Sequence, residues 1–121
     1  MKFKINSAFM ILIVLSTSCS IFQKDSFEGK WQLNFTGGIN ETFDFVITPQ
    51  NDFSFTKAVE YQGQLYDVTI KGTVSAEGIL KADLIAMGQV LGFVAGNLTY
   101  ENGTGKWDAS YVNGNWTAVK K

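Results

Sequence analysis

Apolar and polar residues alternate with a period of two along most of the chain, and each run stops at a short turn signal. Trp31, Leu33 and Phe35 alternate with Lys30, Gln32, Asn34 and Thr36. Phe43, Phe45 and Ile47 repeat the pattern, as do Phe53, Phe55, Val59 and Tyr61, where Lys57 interrupts it. Tyr66, Val68, Ile70 and Val74 follow, then Leu80, Ala82, Leu84 and Ala86, then Val94, Gly96, Leu98 and Tyr100. Two shorter closing runs hold Trp107 and Trp116. This period puts alternate side chains on opposite faces of a strand, so each run reads as a half-buried β-strand. No stretch has the helical period and the length to cross over a parallel sheet. The strands must therefore be antiparallel neighbours in a meander.

The turn chemistry agrees. Gly37-Gly38, Gln62-Gly63 and Glu77-Gly78 separate successive runs, and Gly88 marks another turn. Pro49-Gln50-Asn51-Asp52 suits a turn with Pro in its first central position. Asn102-Gly103 and Asn113-Gly114 are strong hairpin signals, because a type I′ turn needs positive φ at both central residues. About eight strands result. An even-numbered meander can pair its first and last strands and close into a barrel without exposed edges. The interior of eight strands is just wide enough for side chains or one small ligand. A two-sheet sandwich is the alternative.

The start of the chain reads as an address. Lys2 and Lys4 precede the apolar run at residues 9–15 (FMILIVL), and Ser16, Thr17 and Ser18 lead to Cys19, the only cysteine. A basic segment, a short apolar run and small residues make a secretory signal, too short to span a bilayer as a helix. Residues 15–19 resemble the lipobox of bacterial lipoproteins, with Ser16 where that family most often has Leu. The resemblance implies cleavage before Cys19, acyl chains on it and a membrane as partner. Ser20 in place of an Asp favours the outer membrane of a Gram-negative-type envelope, with secretion as the alternative. The expected organisation is a signal peptide at 1–18, a lipidated Cys19 with its tether at 19–26, and one domain at 27–121. Of 121 residues, 121 − 18 = 103 would remain, carrying 8 − 11 = −3 charges once Lys2 and Lys4 leave.

Gly29-Lys30-Trp31 opens the first strand and resembles the G-x-W start of the calycins, the lipocalin and avidin group. The resemblance implies that Trp31 packs near one barrel end, with a basic residue of the last strand across it. Lys120 stands where that residue would be, in place of the more usual Arg. Biotin-contacting motifs of the avidin group are not recognisable, so biotin binding does not carry over. Trp31 also reads as a plain core anchor.

Composition narrows the chemistry. The chain has no His, all 10 of its basic residues are Lys, and its net charge is −1. Without His, and with its one Cys assigned to lipid, it lacks the usual nucleophile–base pairs. An enzyme is not expected, nor a cofactor, a metal or nucleic acid as a partner. Asp44, Asp52, Asp67, Asp83 and Asp108 alternate with apolar residues, as solvent-facing positions do.

Lys57 is the one charge on an apolar face. It reads either as a handle for an anionic head group, or as turned outward by a bulge or snorkelling to the barrel mouth. Trp31, Phe55, Lys57 and Tyr66 are the candidate ligand-binding residues. Residues 84–96 (LIAMGQVLGFVAG) are apolar on both faces. They read as a buried hairpin, or as an exposed tip whose Met87, Leu91 and Phe93 touch lipid or an envelope protein. Five N-x-T triplets begin at Asn34, Asn40, Asn97, Asn102 and Asn115, and exposed strand faces account for them in a bacterial chain.

Overall fold

A computed structural model describes residues 26–121. The expectations for the signal peptide and for Cys19 lie outside these residues. Eight strands follow one another: β1 (Gly29–Gly37), β2 (Glu41–Ile47), β3 (Asp52–Tyr61), β4 (Gln64–Val74), β5 (Ile79–Ala86), β6 (Gln89–Leu98), β7 (Asn102–Asp108) and β8 (Asn113–Lys120). All pairings are antiparallel, and the sheet order is β2-β1-β8-β7-β6-β5-β4-β3. The first and last strands pair, from Trp31 opposite Lys120 to Gly37 opposite Gly114. The sheet thus curls into a nearly closed barrel.

Closure is incomplete at one place. β2 and β3 are consecutive in the chain yet stand at the two ends of the sheet order. They share backbone bonds only around their turn, where Thr48 N–H donates to Asp52 O at 3.0 Å and Asn51 N–H to Thr48 O at 2.9 Å. Pro49 takes the first central position of that turn, as its chemistry requires. Beyond it the strands diverge, and rings fill the gap. Phe45 lies 5.2 Å from Phe53 and 5.0 Å from Phe55, and Phe43 lies 5.6 Å from Phe55, centroid to centroid. Side-chain packing thereby replaces a missing ladder.

The alternation read from the sequence defines the core. Leu33, Phe35, Phe43, Phe45, Ile47 and Ile70 are buried, and the three tryptophans are among the largest fully buried side chains. The two Asn-Gly dipeptides do not make the turns expected of them. Neither contributes a residue of positive φ, and both open strands. Their glycines serve close packing instead. A Cβ on Gly103 would lie 3.3 Å from the Trp116 ring, and one on Gly114 would lie 2.9 Å from Trp107 Nε1. The hairpin turns with two positive φ values are Gln62-Gly63 (52° and 79°) and Met87-Gly88 (55° and 72°), as a type I′ turn demands.

The end where the chain enters is sealed. The Trp31 indole N–H donates to the Phe27 carbonyl at 2.8 Å, and Lys120 Nζ donates to the Ser26 carbonyl at 2.6 Å. Phe27 is buried and packs on Tyr100 at 4.7 Å. Gly29 has φ of 136°, and a Cβ there would lie 3.1 Å from Lys120 Cε. The G-x-W spacing therefore brings a glycine and a tryptophan against the last strand.

Candidate functional site

The opposite end is open. The turns β1–β2, β3–β4, β5–β6 and β7–β8 gather there around a cavity of about 210 Å³. Its floor and walls are apolar, with Phe35, Phe43, Leu84 and Trp107 among them. Phe35 stacks on Trp107 at 4.7 Å and 7°, which fixes both rings. The Trp107 indole N–H is already shared between the Thr36 and Asn115 carbonyls, at 3.2 Å each, and so does not compete for a ligand.

Local irregularities shape this end. The β5–β6 ladder shifts register between Leu84 and Ile85, so that Leu84 pairs with Gly92 and Ile85 with Val90. Leu91 is the extra residue. The bulge turns Leu91 into the cavity and leaves Val90 exposed. A Cβ on Gly92 would run into the Asp108 carbonyl, so the strand can approach the β7–β8 loop only as glycine. That loop, 109–112, covers one side of the cavity. Ser110 holds it in place with φ of 73°, its hydroxyl donating to the Leu91 carbonyl at 2.6 Å and its N–H bonded to Asp108 Oδ1 at 2.9 Å.

Lys57 stands beside the cavity, at the seam. Its strand keeps a regular register with β4, Lys57 opposite Val68, so no bulge turns it away. Its side chain crosses to β2. Nζ donates to Glu41 Oε1 at 3.0 Å and to the Thr42 carbonyl at 2.6 Å, and sits 5.8 Å from the centre of the Phe43 ring. The Glu41 carboxyl is held below its ordinary value, chiefly by the Lys57 hydrogen bond. The Thr42 N–H and the Lys57 charge help, against a small opposing effect of burial.

Of the four residues singled out for ligand contact, Tyr66 lines the cavity. Trp31 lies at the sealed end, opposite Lys120. Phe55 packs within the ring cluster at the seam, and Lys57 bridges that seam. Met87, Leu91 and Phe93 do not share one surface. Met87 is an exposed hairpin tip at the cavity rim, Leu91 faces inward, and Phe93 stands on the outer wall between Asp83 and Asp108. Asp44, Asp52, Asp67 and Asp83 are exposed and Asp108 half-buried. Among the described residues, no group of three or more Cys, Asp or Glu side chains is placed to hold a metal.

Tyr61, Trp107, Ser110 and Tyr111 also belong to this end, and sequence reasoning did not single out three of them as site residues or Trp107 as more than a strand marker. The aromatic residues had one signal: each lies at, next to or beyond the end of an odd-numbered strand, and those ends meet at one rim of a meander. Ser110 had none.

Comparison with protein-family models, curated proteins and solved structures finds no significant match, so the account of this site rests on the chain's own residues.

Proposed function

We propose that this chain is a non-enzymatic, lipid-anchored envelope protein whose barrel holds a small apolar or amphipathic molecule in its open end. The cavity among Phe35, Phe43, Leu84 and Trp107 carries the reading. An apolar space of roughly 150 Å³ stays dry and takes up a benzene-sized guest. The space here is somewhat larger, at about 210 Å³. It falls short of the roughly 300 Å³ or more of pockets that bury a drug-sized ligand. It suits one ring or the end of a chain, with the rest of the molecule at the rim. A nearly closed barrel of eight antiparallel strands, with Trp31 opposite Lys120 at the sealed end, supports the calycin resemblance.

The anchor reading rests on the lipobox-like residues 15–19 and on Cys19. The seven residue-to-residue steps from Cys19 to Ser26, fully extended, would span at most roughly 25 Å. They would join the domain at its sealed end, leaving the mouth on the far side. Native mass spectrometry tests the binding. Recombinant protein stripped with solvent and incubated with cell extract should regain a bound small molecule, and Ala86→Phe should abolish the added mass. No added mass would defeat the proposal.

A second reading, a protein-interaction module at the envelope, draws on the exposure of Met87 (71%), Val90 (61%) and Phe93 (49%) on one hairpin. In-cell cross-linking to a single partner, lost in Met87→Asp or Phe93→Asp, would favour it.

A further inference from the structure

We propose that Met87 is the cover of the cavity mouth, an apolar side chain that closes over the part of an elongated ligand emerging there. This rests on the reading of the cavity as a ligand site. Among the described residues, four that are not glycine have positive φ: Asn51 (64°), Gln62 (52°), Met87 (55°) and Ser110 (73°). Asn51 belongs to the Pro49 turn at the sealed end, and asparagine tolerates this conformation. The other three stand in turns at the open end. Ser110 is held in place by its bonds to Leu91 and Asp108. Met87 cannot be held in that way, because a thioether is only a weak acceptor.

Met87 and Gly88 make the two-residue turn between β5 and β6. The first position of such a turn favours Asn, Asp or Gly, since other side chains bring Cβ close to the following carbonyl oxygen. The fold itself gains little from methionine here, for 71% of the residue is exposed. Yet Met87 is among the residues that line the cavity. A strained backbone, an exposed large apolar side chain and a place at the cavity coincide in one residue, and strain of this kind gathers at ligand clamps. Three rotatable side-chain bonds and a polarizable sulfur let methionine fit an apolar guest of irregular shape. A cavity of about 210 Å³ takes a ring or a chain end. A longer molecule then leaves apolar atoms at the rim, where a covering side chain keeps water from them. Gln62 supplies the comparison. It opens the β3–β4 turn at the same end with the same left-handed backbone, but it is polar and not among the lining residues.

The probes are n-butylbenzene, whose ring fits the cavity and whose chain reaches the rim, and benzene, which stops short of it. The full chain is titrated with each by NMR, following the Trp107 indole N–H, whose ring lines the cavity. Met87→Asn should weaken butylbenzene about fivefold or more, equivalent to slightly more than one CH₂ returned to water at about 0.8 kcal/mol, and benzene by less than about twofold. The same substitution should raise the thermal midpoint by about 2 °C or more, because Asn suits the turn. Gln62→Asn should raise the midpoint too and leave both probes within about twofold. Met87→Leu keeps an apolar side chain and should hold butylbenzene within about threefold of the native chain. Unchanged butylbenzene binding in Met87→Asn, equal weakening of the two probes, or equal weakening in Met87→Asn and Gln62→Asn would overturn the role of Met87 and leave the cavity as a ligand site. A lowered midpoint in Met87→Asn would overturn it as well, by assigning the side chain to the fold, and so would binding of benzene without butylbenzene. Failure of both probes to bind the native chain would remove the cavity reading and this inference together.

Discussion

Lys57 Nζ donates to the Thr42 carbonyl oxygen at 2.6 Å, across the one stretch where the barrel's backbone ladder is interrupted. A side chain thus supplies, at the open end of the seam, a bond that a neighbouring strand would otherwise supply. Glu41 and the Phe43 ring complete its surroundings. This accounts for a charge at an inward position of β3: the stem follows the strand's alternation and the head leaves through the gap.

Removing that bridge should cost more than removing its ion pair. Lys57→Met keeps the stem and loses both the charge-assisted bond to Thr42 and the pair with Glu41. It should lower stability in urea by about 1–2 kcal/mol. Glu41→Gln leaves the Thr42 bond in place and should cost about 0.5 kcal/mol, as exposed pairs do. Amide exchange in β2 and β3 should quicken in Lys57→Met. Equal effects of the two substitutions would deny the carbonyl bond its role.

The same pair sets a pH dependence. Because Lys57 holds the Glu41 carboxyl below its ordinary value of 4.5, the folded state binds that proton less tightly than the unfolded state. The pair's contribution is complete above the unfolded value and fades as pH falls through the lowered folded value. The stability gap between the native chain and Glu41→Gln should therefore be flat from neutral pH to about pH 5 and narrow below that. Denaturation midpoints across this range measure it, and a gap that widens on acidification would contradict the pairing.

Gly105 should tolerate no side chain. A Cβ there would run into the Ala95 carbonyl and lie 2.6 Å from the Trp116 indole, both fixed parts of the wall. Gly105→Ala should destabilise by about 1–3 kcal/mol through overpacking, visible as a lower thermal midpoint. At Gly88 a Cβ meets open space, and only the φ of 72° resists it. Gly88→Ala should cost about 1 kcal/mol.

Cys19→Ala tests the anchor. Cells fed an acyl-chain probe should label the native chain and not the variant, and the variant should leave the membrane fraction. Labelling that persists would place any lipid elsewhere.

The strands were legible because alternation survives wherever one face meets water, and Leu33, Phe35 and Phe43 lie buried as that pattern demands. The Pro49 turn was legible because its chemistry is local. The Asn-Gly dipeptides misled because Gly103 and Gly114 answer to tryptophans from other strands, a demand that turn chemistry does not encode. The seam was hidden for a related reason: Lys57 meets Glu41 and Thr42 across 16 and 15 positions, through geometry that exists only once the sheet has curled. In residues 84–96 both faces are apolar, so the alternation gives no sign of the bulge that turns Leu91 inward. The loop at 109–112 has no period at all, and its Ser110 acquires meaning only beside Leu91.

The account turns on the space at the open end, and a crystal of the protein pressurised with xenon tests it directly. Apolar cavities of this size take up the gas. The account predicts a xenon peak bounded by Phe35, Leu84 and Trp107, lost in Ala86→Phe. Side chains collapsed into that space, with no xenon between them, would contradict it.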